Sequence, residues 1–186
     1  MINAQSDLCP TVQCNCTLTN GIILDISCDQ SVVLTTLPTL SDASQQVNVQ
    51  QISVRSWAAG NSGPLISLPT NLCSAYPNAA ILDFSNNNIA GILNTTELAC
   101  LQNTLIEIHF SENLITGVDD NFFQENQRLT TIDLSYNSLT RMPVVSQDTF
   151  VNFPSSISLI NLSFNQIVNA DLWPLFVRTG IKYCSI

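Results

Sequence analysis

Apolar residues return along this chain at one fixed spacing, broken each time by a single asparagine. Ala79-x-x-Leu82-x-Phe84-x-x-Asn87-x-Ile89, Leu105-x-x-Ile108-x-Phe110-x-x-Asn113-x-Ile115, Leu129-x-x-Ile132-x-Leu134-x-x-Asn137-x-Leu139 and Ile157-x-x-Ile160-x-Leu162-x-x-Asn165-x-Ile167 all share it. Numbered from its first residue, each stretch is apolar at positions 1, 4, 6 and 11 and has Asn at position 9. Alternation through positions 4 and 6 predicts a short strand with one buried face. The asparagine belongs inside, where its amide can bond backbone groups of its own turn and of the next coil. A self-similar unit of this length predicts a solenoid in which each coil buries its apolar side against its neighbours.

The register extends both ways. Val49-x-x-Ile52-x-Val54-x-x-Trp57 keeps the apolar spacing with Trp57 in the asparagine position, and Ile181-x-x-Cys184-x-Ile186 begins a further strand. The chain therefore divides into a cap and connector, 1–48, repeats 49–78, 79–104, 105–128, 129–156 and 157–180, and the start of a sixth at 181–186. Residues 39–48 are a polar insertion between cap and first repeat. The longer repeats should bulge on the convex side or its flanks, where insertions are tolerated. Leu98, Phe123 and Phe176 are expected to line that side as an apolar spine. The last repeat lacks the polar cap that closes a solenoid, so the chain reads as a piece of a longer ectodomain.

Seven cysteines point to an oxidising compartment, and Cys9, Cys14, Cys16 and Cys28 crowd the N-terminal end. Such clusters staple regions too small to hold a core of their own. Spacing alone leaves the pairings among these four open. A zinc site competes, but Cys-x-Cys is too tight for most structural zinc sites. Cys73 and Cys100, at positions 25 and 22 of successive repeats, fall on the same side of adjacent coils. Coils about 4.8 Å apart suit a disulfide, so Cys73–Cys100 is expected. Cys184, at an inward position, is read as a free thiol packed as a small hydrophobe. Glycosylation sequons stand at Asn15, Asn94 and Asn161, consistent with secretion. Met1 to Asp7 contains no signal-peptide core, Met1 reads as a cloning or numbering residue, and no apolar run is long enough to span a bilayer. Any membrane attachment would come through an anchor beyond Ile186.

Candidate contacts come from the positions that face outward, taken as 2, 3, 5, 7 and 8. The middle repeats place Asp83, Glu107, Glu112 and Asp133 around His109, the only histidine. The later repeats place Tyr136, Leu159, Phe164 and Tyr183 together, and clustered exposed aromatics are what interfaces use as anchors. The bland alternative is a solvated acidic face with scattered surface apolar residues. Asp83, His109 and Asp133 form one column, the sole constellation resembling a catalytic or metal group, yet an open face gives three such ligands little preorganisation. No nucleophile elbow, phosphate loop or zinc motif is present, so no enzyme, metal or cofactor is expected. With 5 Lys+Arg against 14 Asp+Glu and a net charge of −9, nucleic acid has no basic stripe to bind. A basic partner fits better, as does a neutral one that buries the aromatics.

The cysteine cluster resembles the N-terminal cap of animal extracellular leucine-rich-repeat proteins. There a Cys-Pro, a Cys-x-Cys pair and a fourth Cys precede an entry like Leu34 to Pro38, here preceded by the strand-like Leu24 to Cys28. Val118-x-x-Asn121-Phe122-Phe123 and Leu129 to Asn137 resemble the repeats of Toll-like receptors. The resemblance implies pairings Cys9–Cys16 and Cys14–Cys28. It also implies an α/β-type solenoid: a right-handed leucine-rich-repeat arc with a concave parallel sheet, a disulfide-stapled cap, and loops and short helical turns on the convex side. The implied function is extracellular recognition of a protein or microbial ligand by the N-terminal part of a Toll-like or related pattern-recognition receptor, at the cell surface and open to dimer formation. A cell-adhesion or extracellular-matrix protein is the alternative, since those classes share every one of these features.

Overall fold

The structure, a computed structural model, describes residues 13–29, 31–40, 43–56, 62–94, 96–119, 122–123, 125–140, 155–167 and 183–185. Strands β1 (Cys14–Thr19) and β2 (Ile23–Cys28) form an antiparallel hairpin. A short helix α1 (Ala43–Gln46) precedes β3 (Gln51–Ser56), and α2 (Leu72–Ala75) precedes β4 (Ile81–Asp83) and β5 (Ala90–Leu93). There follow β6 (Glu107–His109), β7 (Leu114–Val118), β8 (Thr131–Asp133), β9 (Leu159–Asn161) and β10 (Tyr183–Ser185). The main sheet runs β1-β2-β3-β4-β6-β8-β9-β10 and is parallel from β2 onward. Its register aligns equivalent repeat positions: Ile52, Leu82, Ile108, Ile132, Ile160 and Cys184 lie side by side. This is a solenoid built on a parallel sheet.

The hairpin closes through Asn20 and Gly21, whose φ values of 54° and 74° are those of a mirror-image turn, with the Ile22 N–H donating to the Thr19 carbonyl at 3.1 Å. Asn-Gly is the dipeptide that adopts this geometry at least cost, because both positions need left-handed backbone. Cys14 and Cys28 face each other at the open end of the hairpin and are bonded, Cα to Cα 4.0 Å. Cys16 is disulfide-bonded as well; its expected partner Cys9 lies outside the described residues. On the opposite side of the coils from the main sheet, Cys73 and Cys100 are bonded at a Cα separation of 5.6 Å.

Positions 1, 4 and 6 fill the core. Leu82, Phe84, Leu105, Ile108, Phe110, Leu129, Ile132 and Leu134 are all at most 1 % exposed, and the Phe84 and Phe110 rings stack 5.5 Å apart within 2° of parallel. Leu98 and Phe123 are buried opposite the sheet, with Phe122 against Phe123 edge to face at 4.8 Å; Phe176 lies outside the described residues. Tyr76 is buried there too and its hydroxyl donates to the Pro38 carbonyl, while burial pushes its pKa far up.

The ladder asparagines stitch each coil to the one before. Asn113 accepts from the Ile89 N–H at 2.9 Å and donates to the carbonyls of Phe84, Phe110 and Ser111 at 2.9–3.1 Å. Asn87, Asn137 and Asn165 repeat the pattern, accepting from Leu65, Ile115 and Leu139. These bonds satisfy peptide groups at the bend, where neither helix nor ladder can.

That pattern corrects the first repeat. Trp57 lies outside the described residues, and the bonds of the asparagine position are made elsewhere. Gly63 takes that position: its N–H donates to Asn86, as Asn113 N–H donates to Tyr136, and Leu65 two residues on takes the position-11 bond. The extra length of this repeat therefore falls between the end of β3 and Gly63. A second correction concerns the side expected to hold only loops and helical turns. There β5 and β7 pair as a second, two-stranded parallel sheet, with Gly91 at φ 86° and Ile92 lying over Gly117.

Because coils are stabilised by their neighbours, removing the hairpin staple should loosen one end first. In a Cys14→Ala/Cys28→Ala variant, hydrogen exchange should show residues 13–56 losing protection before residues 105–139. Simultaneous loss along the whole chain would refute this local view.

Candidate functional site

The exposed face of the main sheet is built by a turn that recurs at its edge. Asp133 Oδ1 accepts from the Ser135 N–H at 2.9 Å and from its hydroxyl at 2.6 Å. Asn161 does the same with Ser163 at 3.2 and 2.7 Å, and Asp83 accepts from the Ser85 N–H at 3.2 Å. Asp29 and Ser31 make the same pair in the cap, where those two bonds hold the Asp29 carboxyl below its ordinary range. An Asx side chain bonding its own backbone two residues on bends the chain out of the strand. Strands β4, β8 and β9 end at the Asx residue and β6 ends at the same position with His109, while β3, with Ser53 there, stays extended to Ser56.

One residue after the serine position the backbone turns left-handed. Asn86, Glu112, Tyr136 and Phe164 have φ of 53°, 55°, 53° and 58°. Asn tolerates this region; bulky aromatics do so only where surrounding structure imposes it. Here the ladder asparagine that follows imposes it. Position 8 thereby becomes a row of side chains pushed outward. Tyr136 and Phe164 are 50 % and 66 % exposed and stack on each other, ring centroids 4.2 Å apart and planes within 14°.

The two candidate patches fare differently. Asp83, His109 and Asp133 do stand in one register column, but they are not joined. The His109 ring lies 2.9 Å from Glu107 on its own strand, and the two aspartates are turned to their serines. Arg55 sits 3.5 Å from Asp25 toward the cap. Glu112 is exposed and its side chain has no partner among the described residues. Among the described residues no cluster of three or more potential ligands is placed to hold a metal, and no helix is long and apolar enough to cross a membrane. At position 7, expected to face outward, Arg55 is exposed, Ser85, Ser111 and Ser163 are half-buried, and Ser135 is 4 % exposed.

In the aromatic patch, Tyr136 and Phe164 are together and Leu159 is half-buried one strand position inward. The backbone of Tyr183 pairs with Leu159, and the side chains of Tyr183 and Cys184 lie outside the described residues. Of the sequons, Asn94 is exposed, with its N–H donating to Glu97 at 2.8 Å. Asn15 is half-buried within the hairpin opposite Ser27, and Asn161 is half-buried and engaged in its turn. The turn signal, Asp/Asn-x-Ser at positions 5 to 7, was present in the sequence but disguised as acidity and as a sequon.

Residues 103–167 match the leucine rich repeat family. Strands β3 and β4, before the matched span, continue the same sheet in the same register. No curated protein matches the chain significantly. Leucine-rich repeats generally mediate protein–protein interactions, and their solenoid is typically a binding scaffold rather than an enzyme.

Proposed function

We propose that this leucine-rich-repeat chain is an extracellular recognition module whose contact surface is the row of position-8 side chains at the edge of the main sheet. One observation carries the reading. Tyr136 and Phe164 occupy left-handed backbone that suits Asn or Gly, and spend it on rings that are half or more exposed. Strain of this kind, on the order of 1–3 kcal/mol per residue, brings the core nothing. A partner that buries both rings would. The intramolecular disulfides favour the secretory pathway.

Within that class, the N-terminal part of a Toll-like or related pattern-recognition ectodomain rests on the idiom of residues 118–137; a cell-adhesion or matrix protein would use the same surface. The test is a screen of the secreted chain against purified extracellular domains and matrix proteins. Binders should weaken at least about tenfold when Tyr136→Asn and Phe164→Asn are combined, because buried aromatic anchors contribute about 2 kcal/mol or more. Asn suits the left-handed backbone, so the fold is spared. Binding indifferent to both changes would overturn the reading.

Glycosylation supplies a second check. At Asn161 the Asn-x-Ser spacing has a structural cause, the Asx turn, whereas nothing of the kind explains Asn94. A glycan at Asn161 would stand beside Leu159 and Phe164 and shield the rings from a large partner. Site mapping on protein from a glycosylating host should find Asn94 more occupied than Asn161. Full occupancy at Asn161 together with aromatic-dependent binding would contradict the proposed surface.

A further inference from the structure

We infer that the pair Glu112 and Tyr136 is a seat for one arginine side chain presented by a protein partner. The inference rests on the proposed recognition face and names the chemistry that this part of it accepts.

Glu112, Tyr136 and Phe164 occupy position 8 of three successive coils. The Glu112 N–H donates to the Ser135 carbonyl at 3.0 Å and the Tyr136 N–H to the Ser163 carbonyl at 2.9 Å, so the three backbones are locked side by side. Their common left-handed conformation sends all three side chains off the same edge. Phe164 covers one face of the Tyr136 ring. That stack runs along the row, so the uncovered face of Tyr136 is the one turned toward the coil of Glu112. Coils are spaced about 4.8 Å apart, so a flat group stacked on that face takes the next place in the row, over the Glu112 backbone, with the carboxylate at its edge.

Charge then selects the occupant. The nearby acids are already engaged: Glu107 with His109, Asp133 with Ser135. Arg55, the one described cation on this face, is held at the cap by Asp25. Of the described acids at positions 3, 5 and 8 of the middle repeats, Glu112 is the one exposed without a bond, in a chain of net charge −9. A carboxylate beside an aromatic face is complementary to a cation that stacks and donates in one plane. Guanidinium does both; an ammonium attracts the ring but cannot lie flat on it while donating from its edge to the carboxylate.

The probe is a fluorescently labelled acetyl-hexa-arginine amide, titrated by anisotropy against the full chain at low salt. Hexa-lysine and hexa-citrulline serve as comparison peptides. Glu112→Gln and Tyr136→Asn should each weaken hexa-arginine binding about three- to tenfold, and Tyr136→Phe should stay within about twofold of wild type. Glu125→Gln removes the same unit of charge from the exposed Glu125, at position 21 of the same repeat, and should change affinity less than about twofold. Hexa-lysine should bind more weakly than hexa-arginine and lose its dependence on Tyr136. Equal effects of Glu112→Gln and Glu125→Gln would mean diffuse attraction and would overturn the seat. So would indifference to Tyr136→Asn. A screened partner that needs Tyr136 and Phe164 while the peptide series shows no Glu112 dependence would remove the arginine and keep the recognition face. A peptide seat without any aromatic-dependent partner would do the reverse.

Discussion

Replacing Gly63 by alanine is expected to destabilise the protein by about 2–4 kcal/mol, although the added group is one methyl. A Cβ at Gly63 would lie 2.3 Å from Asn87 Oδ1 and 2.8 Å from its Cγ, with the Arg55 Cα at 3.1 Å behind it. The amide has little room to yield. Asn87, 2 % exposed, holds the Leu65 N–H at 3.0 Å and donates to the carbonyls of Val54, Phe84 and Ser85 at 2.8–3.1 Å. Moving it unpairs the bend that joins two coils. On a chain of this size the melting point should fall roughly 5–15 °C. A double-mutant cycle isolates the cause. In an Asn87→Ala background the amide is gone, and Gly63→Ala should cost less than about 1 kcal/mol. Additive effects of the two substitutions would show that the methyl group acts elsewhere.

Asn137→Leu should be comparably severe. The change keeps volume close and adds hydrophobicity, which at a core position ordinarily costs little. Yet the Ile115 N–H loses its acceptor at 2.9 Å, and the carbonyls of Phe110, Leu134 and Ser135 lose the amide donor at 2.9–3.2 Å. Asn137 is 8 % exposed, so water replaces few of these bonds. At about 1–3 kcal/mol per orphaned group, the loss should reach several kcal/mol even if the bend relaxes. It should also loosen Tyr136, whose left-handed backbone the next residue enforces, and so weaken partner binding. An unchanged melting point would mean that the amide's bonds are replaced without loss.

The core columns and the ladder were legible because they are periodic, and period depends on spacing alone. A residue recurring with its neighbours at 4, 6, 9 and 11 has one consistent way to point inward. Register across an insertion is different. Counting from Val49 put Trp57 beside the asparagines, while hydrogen bonds put Gly63 there. The spacing of 24 residues from Leu65 to Ile89 was available, but nothing local distinguished it from the count that started at the strand. The second sheet was likewise written twice, as Ile89-Ala90-Gly91-Ile92 and Ile115-Thr116-Gly117-Val118. Read singly, each is only a short apolar run with a glycine, and pairing them requires the coils to be stacked already. Asn20-Gly21 was a plain hairpin signal that periodicity overshadowed.

The candidate site divides along the same line. That the chain is a stapled solenoid of asparagine-marked repeats, acidic, with aromatics on its outward positions, follows from residue type and interval. Which of those outward residues are free to act does not. Asp83, Asp133 and Asn161 carry the same polarity as Glu112, yet the first three are committed to their own turns and Glu112 is not. His109 joined Glu107 along its strand rather than the aspartates across it. A side chain's availability depends on which donors reach it, and those come from backbone brought alongside by folding. Tyr136 and Phe164 became a stacked pair only because two left-handed residues, 28 apart in the chain, were set on adjacent coils.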